Sequence, residues 1–167
     1  MKNIALIGLM GSGKTTIGAL LAQKLKLNFV DIDTEIEKKE KSTISEIFAH
    51  KGESFFRELE TQALKEFAGK TNQIISTGGG AVQNTENLDF LKQNCITIYL
   101  KTSPEVLFER LKDDASRPLL QNPDPLATLK ELLKKRQDNY QKADIIVDTD
   151  HKTTDEVVNE IIKNVKS

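Results

Sequence analysis

The stretch Gly8-Leu9-Met10-Gly11-Ser12-Gly13-Lys14-Thr15-Thr16 decides the fold. Gly8, Gly13, Lys14 and Thr15 occupy the fixed places of the phosphate-loop pattern G-x-x-x-x-G-K-[ST]. Its flanks agree with it. Asn3-Ile4-Ala5-Leu6-Ile7 is a short apolar run suited to a buried strand, and Ile17, Leu20, Leu21 and Leu25 recur at helical spacing. Glycines let backbone N–H groups wrap a polyphosphate, and the helix N-terminus adds its partial positive charge. Gly11, Ser12, Gly13, Lys14, Thr15 and Thr16 are therefore the expected phosphate contacts. Lys14 would reach the β- and γ-phosphates, and the Thr15 hydroxyl would enter the shell of a Mg2+ ion.

Working outward, Asn28-Phe29-Val30 reads as a second strand running into Asp31-Ile32-Asp33. Thr43-Ile44-Ser45-Glu46 is a capping box opening a short helix that Gly52 can close, and Phe56, Leu59, Ala63 and Phe67 mark one face of the next. Gln73 to Ser76 is a third strand ending in Thr77-Gly78-Gly79-Gly80, and Ile96 to Leu100 is a fourth. Ser103-Pro104 opens a helix with Val106, Leu107 and Leu111. Residues 113–125 lose regularity and hold three of the four prolines, which suits a mobile lid over about 112–125. A helix from about Leu126 to Lys142, a strand Ile145 to Val147 and a capped helix from Thr153 complete the pattern. Alternating helices and continuously apolar strands predict a three-layer α/β/α fold with a central five-stranded parallel sheet, in one domain over 1–167. Ligands then belong beyond the strand C-terminal ends.

Lys+Arg 24 against Asp+Glu 25 gives a net charge of -1, with no basic surplus for nucleic acid or an anionic membrane. The single Cys95 forms no internal disulfide and suits a reducing cytoplasm. The apolar run after Lys2 is short and passes straight into the phosphate loop, unlike a signal peptide, and no segment reaches membrane-spanning length. His50 and His151 lack neighbours at metal-ligand spacing and read as structural.

The chemistry-bearing residues cluster at predicted strand ends. Strand three ends without an acid, so Asp31 is the expected second Mg2+ contact. Asp33, two residues on in a non-helical segment, could accept a hydrogen bond from a substrate hydroxyl, although either aspartate could instead cap the following helix. Gly78, Gly79 and Gly80 would let backbone approach a small ligand, or form no more than a tight turn. Only Arg57, Arg110, Arg117 and Arg136 are arginine in a lysine-rich chain. A guanidinium retained in that background suits carboxylate or phosphate. Glu53 four residues before Arg57, and the lysine-rich face around Arg136, offer ordinary ion-pair readings of those two. Arg117, inside the expected lid, would bring a cation onto a transferring phosphate. Residue chemistry alone thus stops at a small phosphotransferase with a hydroxyl-bearing, anionic acceptor.

Taken together, these segments resemble the shikimate kinase family over nearly the whole chain. The resemblance rests on Gly8 to Thr16, Asp31-Ile32-Asp33 with Ile36-Glu37, Ile47-Phe48, Gly52-Glu53 and Phe56-Arg57 with Glu60. It continues through Ser76 to Val82, Arg117-Pro118-Leu119-Leu120, and Arg136 with Tyr140. It implies a nucleoside-monophosphate-kinase-like fold and ATP- and Mg2+-dependent phosphorylation of the shikimate 3-hydroxyl, in a monomeric enzyme of aromatic amino-acid biosynthesis. By position, Asp33 would orient or deprotonate the attacking oxygen, while Lys14 and Arg117 stabilise the phosphoryl group. Arg57 and Arg136 would clamp the carboxylate, Gly78 to Gly80 would offer backbone contacts, and Arg110 would lie against adenine. Substrate-binding helices would span about 33–62, and residues 148–152 would border adenine. A gluconate-type kinase is the neighbouring alternative. A nucleotide switch is a more distant one, since the chain lacks the N-K-x-D and D-x-x-G segments of GTPases.

Overall fold

The computed structural model describes residues 1–113 and 122–167. Arg117 and most of the expected lid lie outside the described residues. Five strands, β1 (Asn3–Ile7), β2 (Asn28–Asp31), β3 (Gln73–Ser76), β4 (Cys95–Lys101) and β5 (Ile145–Asp148), form one sheet in the order β2-β3-β1-β4-β5. Every pairing is parallel, as the alternation of strands and helices predicts. Seven α-helices are described: α1 (Lys14–Leu25), α2 (Ile32–Glu40), α3 (Ile44–Ala68), α4 (Thr85–Asn94), α5 (Pro104–Leu111), α6 (Pro125–Tyr140) and α7 (Thr154–Lys166).

Both sheet faces are covered, which explains why β1 is apolar from Ile4 to Ile7 and buried at all five positions. Ile4 and Leu6 point to one side with Ile74, Ile98, Leu100 and Val147, packed against Ile17 and Leu21 of α1 and Val157, Val158 and Ile161 of α7. Ala5 and Ile7 point to the other side with Ile75 and Tyr99, under Phe56 and Leu64 of α3, Leu88 and Leu91 of α4, and Leu129 and Tyr140 of α6. Each fully buried Ile or Leu side chain contributes about 1.5–3 kcal/mol. Two such layers fix the sheet, and the sheet fixes the loops at its C-terminal edge. Cys95 is fully buried at the start of β4, and burial pushes its thiol pKa up to about 12.

Three local expectations need correction. Asp33 is not in a non-helical segment: α2 starts at Ile32, directly after β2, so Asp33 sits in its first turn. Thr43 caps α3 by accepting from the Glu46 N–H at 3.2 Å, but the Glu46 carboxylate takes the Ser42 hydroxyl at 2.8 Å, leaving the box half formed. The complete capping box belongs to Thr153 and Glu156 at α7. The buried row of α3 is Phe56, Glu60, Leu64 and Ala68, with Leu59, Ala63 and Phe67 partly covered at its edge. The i, i+4 row thus places a carboxylate where the apolar pattern suggested none.

Gly52 interrupts α3 with φ 83° and ψ 170°, so the two expected helices run end to end across a break. A side chain there would meet nothing within 4 Å, and the residue is glycine for its backbone conformation alone. Gly52→Ala should therefore lower stability by about 1–3 kcal/mol through strain. Thermal or urea unfolding of the unliganded protein checks this; an unchanged midpoint would show that the break carries no strain.

Candidate active site

The phosphate loop joins β1 to α1 at the centre of the sheet, where β3 and β4 flank β1 on opposite sides. Gly13 is the N-cap residue of α1 with φ 95° and ψ 13°, a conformation that a side chain would strain. Among the described α-helices, α1 alone has no side-chain cap. Asp31, Thr43, Asn84, Ser103, Asp124 and Thr153 cap the other six. The first N–H groups of α1 instead face a cleft of about 470 Å3 lined by Gly11, Ser12, Gly13, Lys14, Thr15 and Thr16. An uncapped helix N-terminus of this kind is an anion site. Lys14 is buried, and its Nζ donates to the carbonyls of Gly8 at 2.6 Å and Leu9 at 2.9 Å, which holds the cation over the loop.

Thr15 and Asp31 meet directly. The Thr15 hydroxyl donates to Asp31 Oδ2 at 2.9 Å, while Asp31 Oδ1 accepts the Thr34 N–H at 3.1 Å and caps α2. One carboxylate thus serves both as helix cap and as the polar neighbour of the phosphate loop. A hydroxyl and a carboxylate oxygen side by side at the cleft are hard oxygen donors of the type Mg2+ takes with water and phosphate oxygens.

The neighbouring wall of the cleft is built on the glycine triplet after β3. Thr77 fastens that loop to β1, donating both its N–H (3.2 Å) and its hydroxyl (2.9 Å) to the Leu6 carbonyl. Three close approaches follow. A Cβ on Gly78 would stand 2.7 Å from Glu60 Oε2 and 3.1 Å from Asp33 Oδ1, and one on Gly80 would stand 2.7 Å from Arg57 Nη2. One on Gly79 would stand 3.3 Å from Arg136 Nη1 and 3.4 Å from the Met10 N of the phosphate loop. The triplet is therefore a bare floor against which Asp33, Glu60, Arg57 and Arg136 all pack. Asp33, Gly78 and Gly79 also line the cleft with the phosphate loop.

Arg57 makes the expected helix pair with Glu53 at 3.4 Å and a shorter one with Glu60 at 2.9 Å. Glu60 is 1% exposed, and sequence reasoning did not single it out as a site residue. Its place in the i, i+4 row Phe56-Glu60-Leu64 was the available signal. Burial, foremost, raises the Glu60 pKa, with Arg57 opposing. Burial also raises that of Asp33, reinforced by the Asp31 charge and opposed by Lys14. Buried side-chain atoms without a hydrogen-bond partner, among the described residues, are Ser12 Oγ, Asp33 Oδ1, Glu60 Oε2, Arg136 Nη1 and Asn87 Oδ1. Four of these five belong to the phosphate loop or the glycine floor. Polar groups left buried and unpaired cost about 1–3 kcal/mol each, so their concentration here marks a place built for a polar ligand.

Arg110 also lines the cleft, with Nη1 donating to the Gly11 carbonyl at 3.0 Å. Thr149, Lys152 and Thr154, on and just after the loop that the family resemblance assigns to adenine, line the same cleft. The Thr102 and Thr149 hydroxyls pair at 2.6 Å, and Asp150 accepts the Ser103 N–H at 3.1 Å, so this loop is tied to the start of α5. His50 and His151 are exposed rather than structural core residues.

Parallel sheet, phosphate loop and an adjoining polar pocket together define a P-loop small-molecule kinase. The family model described as shikimate kinase matches residues 10–166. The chain is 49% identical to the shikimate kinase of Thermodesulfovibrio yellowstonii, over 98% of this chain and 94% of that one. It is 47% identical to the shikimate kinase of Persephonella marina, over 99% and 100% respectively. A solved shikimate kinase from Acinetobacter baumannii in complex with shikimate superposes with a TM-score of 0.95 at 39% identity, covering 99% of this chain and 93% of that one. The chain belongs to the shikimate kinase family.

The raised pKa of Asp33 has a signed consequence. The folded state holds this proton to higher pH than the unfolded chain does, so the group supports the fold below pH about 4 and that support is lost as pH rises through the folded pKa. Asp33→Asn is neutral throughout. The variant should melt within about 1 °C of the parent near pH 4 and about 2–4 °C above it at pH 7, the shift that roughly 1 kcal/mol gives in a chain of this size. Calorimetry of the unliganded pair across this range tests it; a difference that does not grow with pH would contradict the burial of a charged carboxylate.

Proposed function

We propose that this chain transfers the γ-phosphoryl group of ATP to the 3-hydroxyl of shikimate, giving shikimate 3-phosphate and ADP for aromatic amino-acid biosynthesis. The observation that carries this reading is the shared floor. Gly78 to Gly80 hold two guanidinium groups and two carboxylates beside the phosphate loop, matching an acceptor with one carboxylate and several ring hydroxyls. Membership of the family supports the same substrate.

Each residue then has a role that follows from its surroundings. Asp33 faces the cleft with one oxygen unpaired, and its raised pKa suits a group that accepts a hydrogen bond or proton from the attacking hydroxyl. Arg57 and Arg136 present planar forks to the ring carboxylate. Gly79 and its neighbours bring backbone close to the ring, which a side chain would block. Ser12, Gly13, Lys14, Thr15 and Thr16 would receive the phosphates, with Lys14 supplying a cation to the β- and γ-phosphates. Gly11 and Arg110 border the nucleotide side. Thr15 and Asp31 would hold Mg2+, which neutralises charge on the β- and γ-phosphates when bound. Because one chain supplies both the phosphate cradle and the acceptor pocket, the reading is of a single-domain enzyme acting as a monomer.

A coupled ADP-release assay with ATP, Mg2+ and shikimate, with gluconate as control, tests the reading. Turnover should require shikimate; equal turnover with gluconate, or hydrolysis of ATP without any acceptor, would overturn it. Arg57→Lys should raise KM for shikimate about tenfold or more while leaving KM for ATP within about twofold, since a point charge loses the bidentate geometry. Equal losses for both substrates would remove Arg57 from the carboxylate clamp. Asp31→Asn should raise the Mg2+ concentration giving half-maximal rate by about tenfold or more. An unaltered Mg2+ dependence would place the metal elsewhere.

A further inference from the structure

Tyr140 is the last residue of α6, four residues after Arg136, and so lies on the same helix face. It is fully buried and stacks on Tyr99 of β4, with ring centroids 4.9 Å apart and planes 21° from parallel. Its hydroxyl donates to the Gly79 carbonyl, and the Arg136 guanidinium lies against the same glycine. Guanidinium, phenol and carbonyl thus meet at Gly79. Each contact has a geometric effect. A trans peptide is planar, so fixing the Gly79 carbonyl also fixes the direction of the Gly80 N–H on the far side of the same plane. The same peptide is the surface against which the Arg136 guanidinium rests, its Nη1 buried, unpaired and close against Gly79.

We propose that Tyr140 is a positioning residue of the acceptor pocket: its hydroxyl fixes the Gly79–Gly80 peptide, and with it the surface on which the Arg136 guanidinium rests, toward the substrate. The inference rests on the functional reading above and adds to it a residue that touches no substrate. Burial pushes the phenol pKa up to about 12, so the group remains a donor throughout the working pH range. Stacking on Tyr99 holds the ring where its hydroxyl reaches the Gly79 carbonyl. A phenylalanine ring would fill the same space, but only the phenol supplies the donor.

Tyr140→Phe keeps the ring and its packing and removes the hydroxyl. The expected result is a rise of about tenfold in KM for shikimate, the worth of roughly one hydrogen bond, with KM for ATP within about twofold. Ile161→Val, in the apolar layer on the other face of the sheet, serves as the packing control: it should lower the melting temperature with no preference between the two substrates. Independently of any substrate, 1H–15N spectra of the unliganded Tyr140→Phe protein should show displaced Gly79, Gly80 and Arg136 side-chain signals and unchanged Gly11 and Gly13 signals. A melting-temperature loss with both KM values unchanged, parallel losses for ATP and shikimate, or undisturbed Gly79, Gly80 and Arg136 signals would each overturn the proposal. Failure of the parent protein to phosphorylate shikimate would instead strike the functional reading, leaving the spectra to judge Tyr140.

Discussion

Pairing of β3 directly beside β1 is the constraint on which the site depends. The register Ile4 to Ile74, Ala5 to Ile75 and Leu6 to Ser76 brings the two strands to the same edge together. Gly8 then opens the phosphate loop at the level where Thr77 opens the glycine turn. Thr77 closes the junction by giving two hydrogen bonds to Leu6. A phosphoryl donor and an acceptor have to be held within bonding distance for transfer to compete with loss to water. In the proposed reaction that proximity would come from adjacent strand ends in a sheet buried on both faces, the stiffest part of such a protein.

What the floor carries is costly. Asp33 and Glu60 are carboxylates removed from water, and both have their pKa values raised by that removal. Arg57 offsets part of the cost through its 2.9 Å bond to Glu60, and Arg136 supplies a second cation. The remaining unpaired atoms at Asp33, Glu60, Arg136 and Ser12 are a deficit that the unliganded protein bears. Function and stability therefore pull in opposite directions at this pocket, and the continuous apolar layers around β1 and β3 supply the surplus that lets the fold tolerate it.

The legible part of the sequence was that written in short range. The phosphate loop is a contiguous pattern whose spacing states its own geometry, and the strands are apolar runs whose length and lack of alternation indicate burial on both faces. The arginines stood out because lysine does the ordinary surface work in this chain. Glu60 was harder: in a linear reading it is one of several glutamates on a charged helix, and only the true phase of α3 reveals that it falls between Phe56 and Leu64 on the buried row. Leu59, Ala63 and Phe67 gave an equally apolar stripe about 100° away, and period alone does not choose between adjacent stripes. Asp33 was displaced for a similar reason. Nothing in Asp31-Ile32-Asp33 separates strand end from helix start until Asp31 is seen capping Thr34.

That cap is also what joins the two halves of the site. Six described helices spend a side chain on their own N-terminus, and α1 does not, leaving its amides for an anion. The cap of α2 is shared: Asp31 gives one oxygen to the helix that carries Asp33 and the other to Thr15 at the head of the helix that carries the phosphate loop. A shift of α1 relative to α2 would have to break one of these two bonds. The carboxylate thus fixes the distance from the phosphate loop to Asp33. Its position at the end of β2, with only β3 between it and β1, follows from the strand order. The spacing between the phosphate loop and Asp33 is in this sense a property of the sheet, transmitted through one side chain.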